Sequence, residues 1–211
     1  LHFMREFREY ELTGDVKKRQ ESEYWKSIEF SLFHKVAVSY YPSYVEEEAI
    51  HAVDETIPVK AITAYVYEEF LQNLNKDFAK REGLLFVGGF AHPPNADAVL
   101  WFAKEVFPKI REQIKVNFYI VGSKVTDEIK ALEQPGNGII VKGFVSEEEL
   151  ADLYRNCRIV VVPLRYGAGV KGKVVEAIYN GAPIVTTSIG AEGIPQVEDV
   201  LLVEDEPEAF A

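Results

Sequence analysis

The chain has 211 residues, a formal net charge of −11 and an ordinary globular composition of 47% hydrophobic, 12% aromatic and 27% charged residues. That length holds one large domain, or one domain with part of another. Its acidity argues against binding nucleic acid or an anionic membrane. Cys157 is the one cysteine, which excludes an internal disulfide or a cysteine metal cluster, and its apolar neighbours suit a buried structural thiol. No apolar run approaches membrane-spanning length and no signal peptide is present. The expected location is cytoplasmic, with contact at the cytoplasmic face of a membrane left open. The sequence starts at Leu1 inside a helical pattern and stops at Glu208-Ala209-Phe210-Ala211, the opening of another helix. It therefore reads as a piece of a longer protein.

In chain order, residues 1–33 place aromatic and aliphatic side chains at helical spacings around Thr13-Gly14-Asp15, which predicts two helices joined at that turn. A strand is expected over 35–41, then a break at Pro42-Ser43 with Ser43 as N-cap of a helix over 44–53. A short strand over 57–62 leads into a helix-containing linker to Arg81. From Gly83 strands and helices alternate. The strands are expected at 84–88, 116–121, 138–142, 158–163, 183–187 and 200–203, and the helices at 94–114, 126–133, 146–156 and 173–180. Short apolar strands alternating with amphipathic helices predict an α/β fold. This is a doubly wound parallel sheet of Rossmann type, preceded by a helical N-terminal extension.

Ligands of such sheets bind at the carboxyl ends of the strands. The glycine turns fall there: Gly88-Gly89, Gly122-Ser123, Gly143-Phe144, Gly167 to Gly172, and Gly190 to Gly193. The fourth turn, with Gly167, Gly169 and Gly172, carries Lys171 and Lys173 and opens a helix with Glu176 near its start. Glycines let backbone N–H groups approach a ligand, and a helix N-terminus adds partial positive charge. With two lysines alongside, this is an anion site suited to a phosphate or diphosphate, and Glu176 suits sugar hydroxyls. Residues 153–175 carry Arg155, Arg158, Arg165, Lys171 and Lys173 with no acidic residue, a local basic stretch in an acidic chain.

The same turn nearly matches the phosphate-binding loop G-x-x-x-x-G-K-[ST], but Val174 follows Lys173 and offers no hydroxyl for magnesium. Gly88-Gly89-Phe90-Ala91 is not the dinucleotide fingerprint, which argues against a dinucleotide cofactor. His92 reads as a solvated loop residue, and His2, His34 and His51 show no partner pattern. The acidic triplets at Glu46 to Glu48 and Glu147 to Glu149 open helices, where they complement the dipole and read as solvated faces. No spacing suggests a metal site.

Four blocks follow one another in order: GLLFVGGFAHPPNADAVLWF, VNFYIVGS, VKGFVSEEELADLYRNCRIVVVPLRYGAGVKGKVVEAIYNGAPIVTTSIGAEGI and VLLVEDEPEAFA. Over residues 81–211 the chain resembles the C-terminal donor-binding domain of a GT-B glycosyltransferase of the retaining, family 4 or "group 1" type. Residues 1–80 resemble the tail of the N-terminal acceptor domain and the interdomain linker.

The resemblance implies a nucleotide-diphosphate sugar held without metal or other cofactor, and a saccharide or lipid-linked acceptor. It puts Glu176 on the second Glu of the E-x7-E motif, which holds ribose hydroxyls, whereas Ala168 departs from the first. Lys171 and Lys173 would neutralise the leaving diphosphate, Gly88 and Gly89 would face it, and the Gly143-Phe144-Val145 turn would border the base. Two function classes stay open: part of a glycosyl-transferring enzyme, or a nucleotide-binding or assembly module without turnover of its own. The aromatic helices of residues 1–33 are expected to pack on another surface, so self-association is expected too.

Overall fold

The computed structural model describes residues 1–62, 65, 67 and 77–211. The chain forms two compact units. The first comprises Leu1–Tyr67, Tyr166–Lys171 and Ala191–Pro195, and the second Glu68–Arg165, Gly172–Gly190 and Gln196–Ala211.

In the first unit α1 (His2–Thr13) and α2 (Val16–Phe33) form the expected hairpin. Gly14 stops α1 with φ 72°, and its N–H reaches the Tyr10 carbonyl at 2.7 Å. Asp15 then caps α2 by accepting from the Lys17 N–H at 2.9 Å. Glu29 of α2 reaches back to accept from the N–H groups of His2 and Phe3 at 2.9 and 3.1 Å, satisfying donors at the start of α1. Buried Glu6 takes hydrogen bonds from Arg5 and Lys18 between the two helices. Next come β1 (Ser39–Tyr41), α3 (Tyr44–His51) and β2 (Val59–Ala61), with β1 and β2 paired in parallel. Both strands are shorter than expected. Pro42 ends β1, and Pro58, which has no N–H to give, precedes β2 and accepts from Ser39 at 2.8 Å. Phe33, Ile50, Ile57 and Val59 form the core, covered by Phe30 and Tyr41.

One expectation for α3 holds in position only and one is corrected. Ser43 stands at the N-cap, but its hydroxyl donates to the Glu46 carboxylate at 3.1 Å instead of accepting a backbone N–H. Glu46 is not on a solvated face: it is 3% exposed, while Glu48 is exposed as expected. The expected helix-containing linker lies mostly outside the described residues, apart from a 3-10 turn at Phe78–Lys80. Three histidines have partners, against expectation: His2 has Glu6 four residues on in the same helix, His34 has Asp54, and His51 has the Ile57 carbonyl.

The second unit contains β3 (Leu84–Val87), α4 (Pro93–Trp101), α5 (Phe107–Gln113), β4 (Phe118–Val121), α6 (Asp127–Lys130), β5 (Ile139–Gly143), α7 (Glu147–Asn156) and β6 (Ile159–Val162). It continues through α8 (Gly172–Tyr179), β7 (Ile184–Thr186), α9 (Ser188–Ala191, whose last residue belongs to the first unit), α10 (Val197–Val200), β8 (Leu202–Val203) and α11 (Pro207–Phe210). The six strands form one parallel sheet in the order β5-β4-β3-β6-β7-β8. This is the doubly wound, Rossmann-like sheet the alternation predicted, and its order reverses between β3 and β6, where such sheets open a crevice. Leu84, Leu85, Phe86, Val160, Val161 and Val162 are all buried, as a sheet covered on both faces requires.

The helix expected over 94–114 is interrupted. Residues Phe102–Val106 form a π turn in which the Phe107 N–H reaches the Phe102 carbonyl. Pro108 has no N–H for the Lys104 carbonyl, so the helix passes this point through a wider turn. The turn presents Phe102 to Phe118 and Phe210, with ring centroids 4.7 and 5.8 Å apart. The last strand is also shorter than expected, since α10 occupies the residues before it. Cys157 is buried and unbonded to another cysteine, and burial pushes its thiol up to about 12. The triplet Glu147 to Glu149 is exposed at the start of α7, where Ser146 accepts from the Glu149 N–H at 3.2 Å.

Candidate functional site

The carboxyl ends of β3, β4 and β5 lie side by side, and three of the glycine turns meet there. The Gly88 N–H reaches the Val121 carbonyl at 3.0 Å, and the Gly122 N–H reaches Gly143 at 2.8 Å. Gly122 has φ 154°, and a Cβ at that position would lie 1.8 Å from the Gly88 carbonyl oxygen. Only glycine lets these two turns approach so closely. Beside them Phe90 donates its N–H to the Ser123 carbonyl at 2.9 Å, and a Cβ on Gly89 would rest 3.4 Å from the Ser123 hydroxyl. Beyond Gly143, Phe144 is 82% exposed and Val145 half-buried.

Lys173, in the first turn of α8, extends to this cluster. Its ammonium donates to the Asn95 side-chain oxygen at 2.5 Å and lies 4.4 Å from the centre of the Phe86 ring. A Cβ on Gly88 would be 2.8 Å from that ammonium. Asn95 is 7% exposed and donates its amide to the Gly89 carbonyl at 2.8 Å, so it ties the lysine to the glycine turn. Sequence reasoning missed Asn95, although its place just inside a helix that opens on Pro93-Pro94 was a usable signal. Glu176 stands three residues beyond Lys173 on the same helix, half-buried, and its carboxylate accepts from the Tyr154 hydroxyl at 3.1 Å.

The basic stretch is less free than its sequence suggests. Arg165 forms a two-pronged pair with Asp97, one contact at 2.9 Å and one shorter, and Arg155 lies 3.7 Å from Asp152. Arg165 is committed to a carboxylate within the second unit, whereas Arg155 makes only a long ion pair at the surface.

Lys171, Gly167 and Gly169 belong to the first unit. There the Lys171 ammonium, 10% exposed, donates to the Gly169 carbonyl and to Glu192 at 3.2 Å. Arg8 of α1 grips the same carboxylate with two bonds of 3.0 and 2.8 Å, and donates to the Gly167 carbonyl at 2.6 Å. Gly169 has φ 78°, and a Cβ there would lie 2.9 Å from a Glu46 carboxylate oxygen. Burial pulls the Lys171 ammonium below its ordinary pKa, with Glu192 opposing. Burial pushes the Glu192 carboxyl up, but the Arg8 hydrogen bond and the charges of Lys171 and Arg8 outweigh it and hold the group below its ordinary value. Neither Arg8 nor Glu192 was singled out from the sequence.

Among the described residues no three or more His, Cys, Asp or Glu side chains are placed to share a metal ion. Among them, too, no helix is long and apolar enough to cross a membrane. The glycine turns and the Lys173 ammonium together set a positive charge and little side-chain bulk at the carboxyl edge of the sheet, which suits an oxyanion.

The family described as Glycosyl transferases group 1 matches residues 81–211. An uncharacterized 44.6 kDa protein in the cps region of Klebsiella pneumoniae is 33% identical over 136 residues, covering 61% of this chain and 33% of that protein. Sucrose-phosphate synthase from Thermosynechococcus elongatus superposes with a TM-score of 0.73 at 20% identity, over 98% of this chain and 54% of that one. A point mutant of S. aureus TarM, solved with fondaparinux, alpha-GlcNAc-glycerol and UDP, gives a TM-score of 0.66 at 18% identity, over 84% of this chain and 36% of that one. The chain thus spans about a third of the length of the curated relative it matches, and about a third to a half of these solved chains. With the family's match covering more than half of its residues and a Rossmann-like sheet that GT-B enzymes share, the chain belongs to the group 1 glycosyltransferases.

Proposed function

We propose that this chain supplies the donor site of a retaining glycosyltransferase that moves a glycosyl group from a nucleotide-diphosphate sugar to a saccharide or lipid-linked acceptor. The observation that carries the reading is the convergence of Gly88, Gly89, Gly122 and Gly143 with the Asn95-held ammonium of Lys173. In this reading the diphosphate lies against the Gly88-Gly89 turn. Lys173 faces the negative charge that grows as the glycosyl bond breaks, which stabilises the transition state more than the ground state. The ammonium takes the part that a metal plays elsewhere, so no metal is required. Glu176 accepts the ribose hydroxyls, and the Gly143-Phe144-Val145 turn, with its exposed ring, borders the base. Gly122 and Ser123 hold the turn that Gly88 rests on. Lys171 has its own carboxylate and carbonyl partners, and its part is to hold the Gly167–Lys171 loop that leads into α8.

Residues 81–211 form the donor-binding domain in this account, and residues 1–80 the tail of an acceptor domain with its linker. The first relatives' complexes favour it: TarM was solved with UDP and a glycoside, and a pneumococcal O-GlcNAc transferase with UDP and GlcNAc. Polysaccharide synthesis fits the relative from a cps region. The second reading is a nucleotide-binding or assembly module without turnover of its own. The test is turnover by the full-length protein with a panel of radiolabelled nucleotide sugars and membrane or saccharide extracts. Transfer that is lost in Lys173→Met supports the enzyme. Nucleotide binding without transfer from any donor supports the module.

A further inference from the structure

Tyr154 is 1% exposed, sits on α7 and donates its hydroxyl to a Glu176 carboxylate oxygen at 3.1 Å. The two residues are 22 positions apart, on different helices of the second unit. The last torsion of a glutamate side chain is broad, so a half-buried carboxylate does not choose its own plane. Two neighbouring ribose hydroxyls can both donate to one carboxylate only when that plane faces them. A buried phenol is a fixed point, since its ring cannot turn away from its packing. A carboxylate offers about four lone-pair positions, and the phenol occupies one, which leaves room for two sugar hydroxyls.

We propose that Tyr154 is a positioning residue for ribose recognition: its hydroxyl sets the plane of the Glu176 carboxylate that receives the 2′ and 3′ hydroxyls of a nucleoside diphosphate. The inference rests on the donor-site reading above. It adds a group on another helix, 22 positions away in sequence, that acts through Glu176 without touching the nucleotide.

The test is calorimetric titration of the 211-residue chain with UDP, GDP and ADP, and with the 2′,3′-dideoxy form of whichever binds best. The readout is the preference for the ribose form over the dideoxy form, which a purely structural role would not move. Wild type is expected to prefer the ribose form by about tenfold or more, and Glu176→Gln to lose most of that preference. Tyr154→Phe keeps the ring and is expected to cut the preference by about three- to tenfold while leaving dideoxy affinity unchanged. Glu176→Asp, which keeps the charge but withdraws it from the phenol, is expected to lose the preference with Tyr154 still in place. Wild-type preference in Tyr154→Phe or Glu176→Asp, when Glu176→Gln has lost it, overturns this inference and leaves the donor site standing. Preference retained in Glu176→Gln, or no binding by wild type, overturns the donor-site reading and this inference with it.

Discussion

Glu192→Gln is a perturbation whose size follows from the contacts of one carboxylate. In the first unit Glu192 is 7% exposed on its side chain and holds two cations, Arg8 at 23% and Lys171 at 10%. Glutamine keeps the shape and one acceptor oxygen but removes the charge, leaving a guanidinium and a buried ammonium without their shared anion. Removing one partner of a buried pair costs about 3–5 kcal/mol. The partial exposure of Arg8 and the retained acceptor reduce that to about 2–3 kcal/mol. For a unit of this size the melting transition should fall by on the order of 10 °C.

Scanning calorimetry at neutral pH measures this, with Arg8→Met and the double variant closing a cycle. The double change should cost less than the sum of the singles, because both remove the same pair. The pH dependence has a definite sign. The folded-state pKa of Glu192 is lowered, so its stabilisation is present above the ordinary carboxyl value and lost as pH falls through the lowered one. The gap between wild type and Glu192→Gln should therefore close in acid. Lys171 is also lowered, so its unfolded state holds the extra proton and stability rises as pH climbs from the folded value towards 10.5. A variant that melts with wild type, or a gap that widens in acid, refutes the network as a stabilising element.

Two shorter predictions accompany it. Gly122→Ala would place a methyl 1.8 Å from the Gly88 carbonyl oxygen at φ 154°, and should cost about 3 kcal/mol or more; an unchanged urea midpoint would count against the tight β3–β4 turn. The α1–α2 hairpin exposes Phe7, Val16, Tyr24 and Leu32 at 44, 61, 59 and 53%, so the isolated chain should self-associate; a monomer in light scattering across concentrations would contradict this.

Much of the second unit was legible because buried parallel strands write continuous apolar runs such as Ile159 to Val162, with amphipathic helices between them. Gly14 and Asp15 likewise announced the α1–α2 turn. What stayed hidden depends on distance along the chain. Arg8 and Glu192 are 184 residues apart, and Asn95 and Lys173 78, so no local pattern could pair them. Glu46 looked like its neighbours in an acidic run, yet the fold buries it beside Ser43. The π turn arises from Pro108 inside an otherwise unbroken periodic stretch, where the pattern continues even though one hydrogen bond cannot form. Among the basic residues only the charges were legible, and Arg165 and Lys171 turn out to be held by carboxylates.

The central claim is a diphosphate site built on Lys173 and the glycine turns. Its most direct test is calorimetric titration of the chain with UDP, GDP, ADP and dTDP, for wild type and for Lys173→Met. The account predicts that one nucleotide binds and that Lys173→Met, still folded, weakens it by about tenfold or more, the loss of one charge-assisted contact. Equal binding by the variant, or a folded wild-type chain that binds none of the four, would contradict it.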